Sequence, residues 1–215
     1  MDIDILAPAE NADCLVLDFA SVPARRQHEV QRPRLTSLPP ARCLRSGATA
    51  ELAGWHTPAV GVALAVLLSD RPASPMQAAR LAGSIEFVLP ALVILDTDSG
   101  SPAGLRTVGC ILGSAPTRWD PVGIRTAGCL LRRNGELVAT GAPGVLLGSP
   151  LDALAELVET AEAAGRTPQA GRYLLVGSIT PTVPAGTGDR FDLRVAGLGA
   201  VTGRLTAVDA DGGDR

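Results

Sequence analysis

Apolar and polar positions sort most of the chain after Trp55 into short elements. Val60-Gly61-Val62-Ala63-Leu64-Ala65-Val66-Leu67-Leu68 is a nearly unbroken apolar run, the pattern of a strand covered on both faces. Asp70 to Pro75 reads as a turn, and Ser74 caps a helix that starts at Pro75 and runs to about Ala82. Ile85 to Pro90 follows, then Ala91 to Asp96 reads as a second core strand, before a turn-rich loop over 97–104. Leu105 to Leu112 and Gly123 to Arg132 are further strand candidates. Asn134-Gly135 between apolar runs predicts a two-residue hairpin, with Leu137 to Thr140 as the returning strand. Pro150 to Ala164 predicts a helix with Leu151, Leu154, Leu157, Val158 and Ala161 on one face, capped by Ser149 and ended by Gly165. Tyr173 to Val176, Phe191 to Val195 and Ala200 to Val208 complete the strands.

Before Trp55 the pattern is weaker. Leu15-Val16-Leu17-Asp18-Phe19-Ala20 suits a strand or the start of a helix. Residues 23–50 show no sustained period and read as an irregular arm with one or two short elements. The expected organisation is an abbreviated N-terminal arm or small lobe over 1–57, a β-rich core over 58–208 and a flexible tail over 209–215. Many strands, two helices and no regular βαβ repeat predict a mixed α/β, β-dominated fold.

Composition narrows the function classes. The chain has 215 residues, a size for one domain with at most a modest appendage. Aromatics are 3%, so the core must rest on Val, Leu, Ile and Ala. Nineteen basic against 22 acidic residues give −3, which argues against a general phosphate-backbone binder. The basic run Arg25, Arg26, Arg32, Arg34 reads as a solvated arm. Pro58 to Ser69, about 12 residues, is too short to span a bilayer. The opening Met-Asp-Ile-Asp lacks a signal peptide's basic region, so a cytoplasmic protein with reduced thiols is expected. Cys14, Cys43, Cys110 and Cys129 include no CxxC pair, which gives little support to zinc. Cys110 and Cys129, in apolar strand runs, read as buried structural thiols. No glycine-rich nucleotide loop follows a strand.

Several ordered pieces carry a family resemblance. They are Glu86-Phe87-Val88-Leu89-Pro90-Ala91-Leu92, Arg133-Asn134-Gly135-Glu136-Leu137-Val138-Ala139-Thr140-Gly141 and Val145-Leu146-Leu147-Gly148-Ser149-Pro150. Gly177-Ser178-Ile179-Thr180, Gly188-Asp189-Arg190-Phe191 and Leu198-Gly199 follow in order. Together they resemble the fumarylacetoacetate hydrolase superfamily, in its 2-keto-4-pentenoate hydratase and 4-oxalocrotonate decarboxylase branch. The resemblance covers 58–208 well and 25–57 poorly. It implies a curled mixed β-sheet core with few helices, a homo-oligomer, and Mg²⁺ or Mn²⁺ chemistry on 2-hydroxydienoates and 2-keto acids.

The same resemblance places the metal ligands where this chain has none. The family's Glu-x-Glu pair falls on Gly61 and Ala63, and its third glutamate falls on Val93. The histidine often found before the helix proline is Ser149, and the family lysine corresponds, on an insecure alignment, to Arg32. The expectation is therefore no cofactor and no metal. The leading reading is a repurposed, metal-independent isomerase, cyclase or lyase acting on a small oxo, enol or polyene-like metabolite, in specialised biosynthesis. His56, Asp96 and Asp98 are the candidates to move a proton. Ser178, Thr180, Arg32 and Arg106 are the candidates to bind substrate oxygens. Each has a plainer alternative: turn hydrogen bonding for the hydroxyls, solvated turn positions for the carboxylates, a surface role for His56 and the arginines. Two other readings stay open, a non-catalytic partner subunit of an active paralogue and a small-molecule binding protein. Nucleic acid and membrane partners are not expected.

Overall fold

A computed structural model describes residues 14–18, 34–52, 54–69, 78–97 and 105–207. In chain order the strands are β1 (Cys14–Asp18), β2 (Arg34–Leu38), β3 (Cys43–Arg45), β4 (Thr49–Glu51), β5 (Ala59–Leu68), β6 (Ile85–Thr97) and β7 (Leu105–Leu112). Then come β8 (Thr117–Arg118), β9 (Cys129–Arg133), β10 (Glu136–Gly141), β11 (Tyr173–Gly177), β12 (Val183–Pro184), β13 (Arg190–Val195) and β14 (Gly199–Thr206). The helices are α1 (Ala78–Ser84), α2 (Pro121–Thr126) and α3 (Pro150–Ala163).

The strands form two sheets. The first runs β2-β1-β11-β5-β6-β7-β3, with β12 added on β5 and β8 on β6; the second runs β10-β9-β13-β14-β4. The first sheet curls, because β1 and β2 come back against β7 from the far side of the strand order. The fold is thus the β-dominated mixed α/β architecture with a curled sheet that the residue pattern and the resemblance imply. From the stretch read as an arm, β2 pairs with β1, β3 with β7 and β4 with β14.

The first sheet has two buried faces. One packs on the second sheet and α3, through Val60, Val62, Leu64, Val66, Leu68, Leu92 and Ile94 against Phe191, Leu193, Val201, Leu154 and Leu157. The other lines the inside of the curl with Ala63, Ala65, Leu67, Ala91, Val93, Leu95 and Leu112. Side chains alternate along a strand, so β5 and β6 serve both faces and read as continuous apolar runs.

Two local expectations change. The strand expected from Ala91 to Asp96 begins earlier and runs from Ile85 to Thr97. Pro90 falls between the part of β6 paired with β8 and the part paired with β7, where the ladder on that side is interrupted and a missing N–H is tolerated. Gly123 to Arg132 is not one strand: Asp120 accepts from the Val122 N–H at 3.1 Å and Pro121 opens α2, so β9 starts only at Cys129. The helix expected from Pro75 is described from Ala78; Ser74 and Pro75 lie outside the described residues. The hairpin and main helix stand as expected. Asn134 and Gly135 take φ of 54° and 90°, and Ser149 accepts from the Leu151 N–H at 3.2 Å. No helix among the described residues is long and apolar enough to cross a membrane.

Candidate functional site

Two groups of the expected site residues assemble at the end of the first sheet where β5 begins. Asp96, the penultimate residue of β6, is 6% exposed and turned toward the loop before β5. Its carboxylate accepts from the His56 N–H at 3.1 and 3.2 Å and from the Thr57 N–H at 2.8 Å. These charge-assisted bonds fix the loop and occupy the carboxylate. The His56 ring is largely exposed, with Nδ1 3.9 Å from Asp96 Oδ2. Arg106 is the direct cross-strand neighbour of Asp96, so the two side chains share a face. Arg106 is itself exposed. His56 and Asp96, forty residues apart, thus meet, and Arg106 is paired with Asp96 across β6 and β7.

The second group is Ser178 and Thr180, after β11. Both are buried, at 7% and 0% exposure, and neither side-chain hydroxyl has a hydrogen-bond partner. Orphaned buried hydroxyls are uncommon and mark places where a ligand or water donates or accepts. Ser178 Oγ stands against Gly61, on the face carrying Val93 and Leu95. Alternation along β6 places Asp96 on the opposite face, with Leu92 and Ile94. The two groups therefore share a sheet end but not a face. Asp98 and Arg32 lie outside the described residues.

Among the described residues, those at the positions the resemblance assigns to metal ligands do not fit a hard divalent ion. Gly61, Ala63 and Val93, where the resemblance places carboxylates, supply no side-chain oxygen, and Mg²⁺ or Mn²⁺ needs oxygen ligands. The space is also taken. A Cβ added at Gly61 would collide with Ser178 Oγ and lie 3.2 Å from Val93 Cγ2 and 3.4 Å from Leu95 Cδ1.

Sequence spacing missed two features. An open cleft of about 320 Å³ runs between Arg42, Glu51, Trp55, Ile94 and Gly109, on the same face of β6 as Asp96. The Arg42 guanidinium lies 5.9 Å over the Trp55 ring there. The other feature is a sulfur cluster. Cys14, Cys43 and Cys110 are buried and their Sγ atoms all lie within 4.8 Å of one another. Cys43 and Cys110 are neighbours across β3 and β7, whereas Cys14 arrives from β1 around the curl. Their separations in sequence carry no metal-ligand spacing, so only the tertiary fold groups them. Burial, with the neighbouring thiols, pushes the Cys14 thiol well above its ordinary range. The Cys14 contact pulls Cys110 down, but the Cys43 contact and burial outweigh it and push that thiol up. Burial alone pushes Cys129, which packs in the other core, up to about 12.

With this geometry in view, known proteins supply the family. The chain is 32% identical over 200 residues to the TodF product hydratase of Pseudomonas putida strain F1, covering 86% of this chain and 73% of that protein. The 2-keto-4-pentenoate hydratase of Paraburkholderia xenovorans is 27% identical over 195 residues, again covering 86% of this chain and 72% of the relative. The chain belongs to the 2-keto-4-pentenoate hydratase and 4-oxalocrotonate decarboxylase branch of the fumarylacetoacetate hydrolase superfamily. No family model matches it. Among solved structures, 4-oxalocrotonate decarboxylase from Pseudomonas putida G7, complexed with magnesium and adipate, superposes with a TM-score of 0.81 at 23% identity, covering 93% of this chain and 80% of that one. A 2-hydroxyhepta-2,4-diene-1,7-dioate isomerase from Mycobacterium marinum gives 0.71 at 17% identity, covering 94% and 77%. The related proteins are named as hydratases, decarboxylases and isomerases, all enzymes.

Proposed function

We propose that this member is a metal-independent enzyme that moves a proton on a small oxo or enol acid, as an isomerase, cyclase or lyase. The observation that carries the reading is the convergence of His56, Asp96 and Arg106 at one strand end, beside the Trp55 cleft. The exposed His56 imidazole is accessible to a substrate as an acid or base. Asp96 holds its backbone and faces its ring. Arg106 offers a cation to the substrate's carboxylate. Ser178 and Thr180 offer two unengaged hydroxyls to a substrate or enolate oxygen. The substrate class rests on the relatives' names. Asp98 and Arg32 belong to the same reading as a second proton-moving group and a second cation.

The test is exchange of the proton beside the carbonyl in deuterated water, followed by NMR over a panel of 2-oxo acids and their dienols. Exchange is expected to persist in excess EDTA and to fall on the order of 100-fold in His56→Gln. Arg106→Gln should raise KM more than it lowers kcat. EDTA-sensitive exchange, or none with any acid in the panel, would overturn the reading.

The apolar filling at Gly61, Ala63 and Val93 favours a second reading, a non-catalytic subunit that stabilises an active relative. Homo-oligomer formation is part of both readings. Exposed Leu130 and Leu137 on β9 and β10 supply apolar surface for an interface. Native mass spectrometry of this chain mixed with an active hydratase of the family distinguishes mixed from self-assembly.

A further inference from the structure

Gly61, Val93, Cys110 and Cys43 form one row of paired positions across β5, β6, β7 and β3. Gly61 and Val93 stand where the family pattern has oxygen ligands. Cys110 and Cys43 carry thiols, and Cys14 closes on them from β1 across the curl. Three sulfurs around one ion, with bonds of about 2.3 Å, stand on the order of 4 Å apart. Sulfurs within 4.8 Å of one another reach that spacing by small side-chain rotations.

We propose that Cys14, Cys43 and Cys110 bind one soft, three-coordinate ion, of the kind represented by As(III) and Cu(I). Thiolate ligands select soft ions over Mg²⁺, Mn²⁺ and Ca²⁺. Structural zinc takes four ligands, and among the described residues no fourth His, Cys, Asp or Glu joins the three. The surroundings are apolar, with Ala63, Val93 and Leu112 in the same cluster.

Charge ranks the two ions. Arsenous acid and three thiols give a trithiolate complex and three waters: three As–O bonds break, three As–S bonds form, and each thiol proton leaves on a departing oxygen. No electrons are exchanged and the product is neutral, as a buried apolar site requires. Cu(I) held by three thiolates keeps two negative charges there, so burial charge favours the arsenic complex. The site is independent of the proton-transfer reading, because it uses none of its residues.

The reduced full chain is titrated with arsenite and, separately, with Cu(I), and examined by native mass spectrometry and X-ray absorption. One equivalent per chain with a three-sulfur shell is expected. Cys14→Ala, Cys43→Ala and Cys110→Ala should each weaken binding on the order of 100-fold or more, with Cys129→Ala unchanged. No bound ion, a shell with two sulfurs, or binding that survives the three substitutions would overturn the proposal. The absorption spectrum of the unaltered chain decides the matter even where a variant fails to fold.

Discussion

Along β5, Val60, Val62, Leu64, Val66 and Leu68 face the second sheet and α3, while Gly61, Ala63, Ala65 and Leu67 face the inside of the curl. The first face is a core of large branched side chains meeting Phe191, Leu154 and Leu157. The second sets Gly61, Ala63, Ala65 and Ala91 beside Leu67, Leu95 and Leu112, three thiols and the Ser178 hydroxyl. One strand therefore does two jobs. Its outer face supplies the transfer free energy that holds the sheets together. Its inner face is small at Gly61, Ala63 and Ala65, where Ser178 Oγ, Val93 and Leu95 close in on Gly61. The difference teaches that the curl's interior tolerates chemical change better than it tolerates added volume.

The largest expected effect tests that tolerance. Gly61→Glu puts a carboxylate against Ser178 Oγ, Val93 and Leu95, with no cation facing it among these neighbours. An uncompensated buried charge costs about 3–5 kcal/mol, and urea denaturation reads it. A stable variant that binds Mg²⁺ would break the comparison. On the outer face, Leu64→Ala should cost about 2–5 kcal/mol by the same measurement, because Leu64 is fully buried among large neighbours.

A smaller effect is expected at the sheet end. Asp96→Ala removes the acceptor of the His56 and Thr57 N–H groups and should cost about 1–3 kcal/mol. Faster hydrogen exchange at those two amides should accompany it; unchanged protection there would show that the loop is held by something else. Ser149→Ala should cost about 1 kcal/mol through the lost α3 cap.

A pH-dependent effect separates the thiols. Cys129 titrates at about 12 when folded, against an ordinary 9.0. Its folded value is raised, so between these values the unfolded chain binds fewer protons. The stability it contributes is whole below about pH 9 and declines as pH rises toward 12. Cys14 and Cys110 shift in the same direction. Cys129→Ala should flatten part of the alkaline decline measured by thermal denaturation, and the curl-face thiols should carry the rest.

Much of this was legible from residues in a row. The apolar run of β5, the Asn134-Gly135 turn and the Ser149-Pro150 start of α3 are local, because periodicity, positive φ and capping act over a few residues. The ordered pieces after Trp55 named the superfamily, and the lack of side-chain oxygen at Gly61, Ala63 and Val93 was visible as letters. Gly123 to Arg132 misled because an Asp120 cap overrode an apolar pattern.

What the sequence could not decide was contact between distant strands. It offered His56, Asp96 and Arg106 as separate candidates; β6–β7 register and the loop before β5 made them one group. It offered Ser178 as a loop hydroxyl; its approach to Gly61 made it an orphan facing the curl. Cys14, Cys43 and Cys110 lacked any motif spacing, and only the closure of the sheet brought their sulfurs together. Local rules determine which residues form strands and turns. Strand order, register and curl determine which side chains meet, and those follow from burying both faces of one sheet at once.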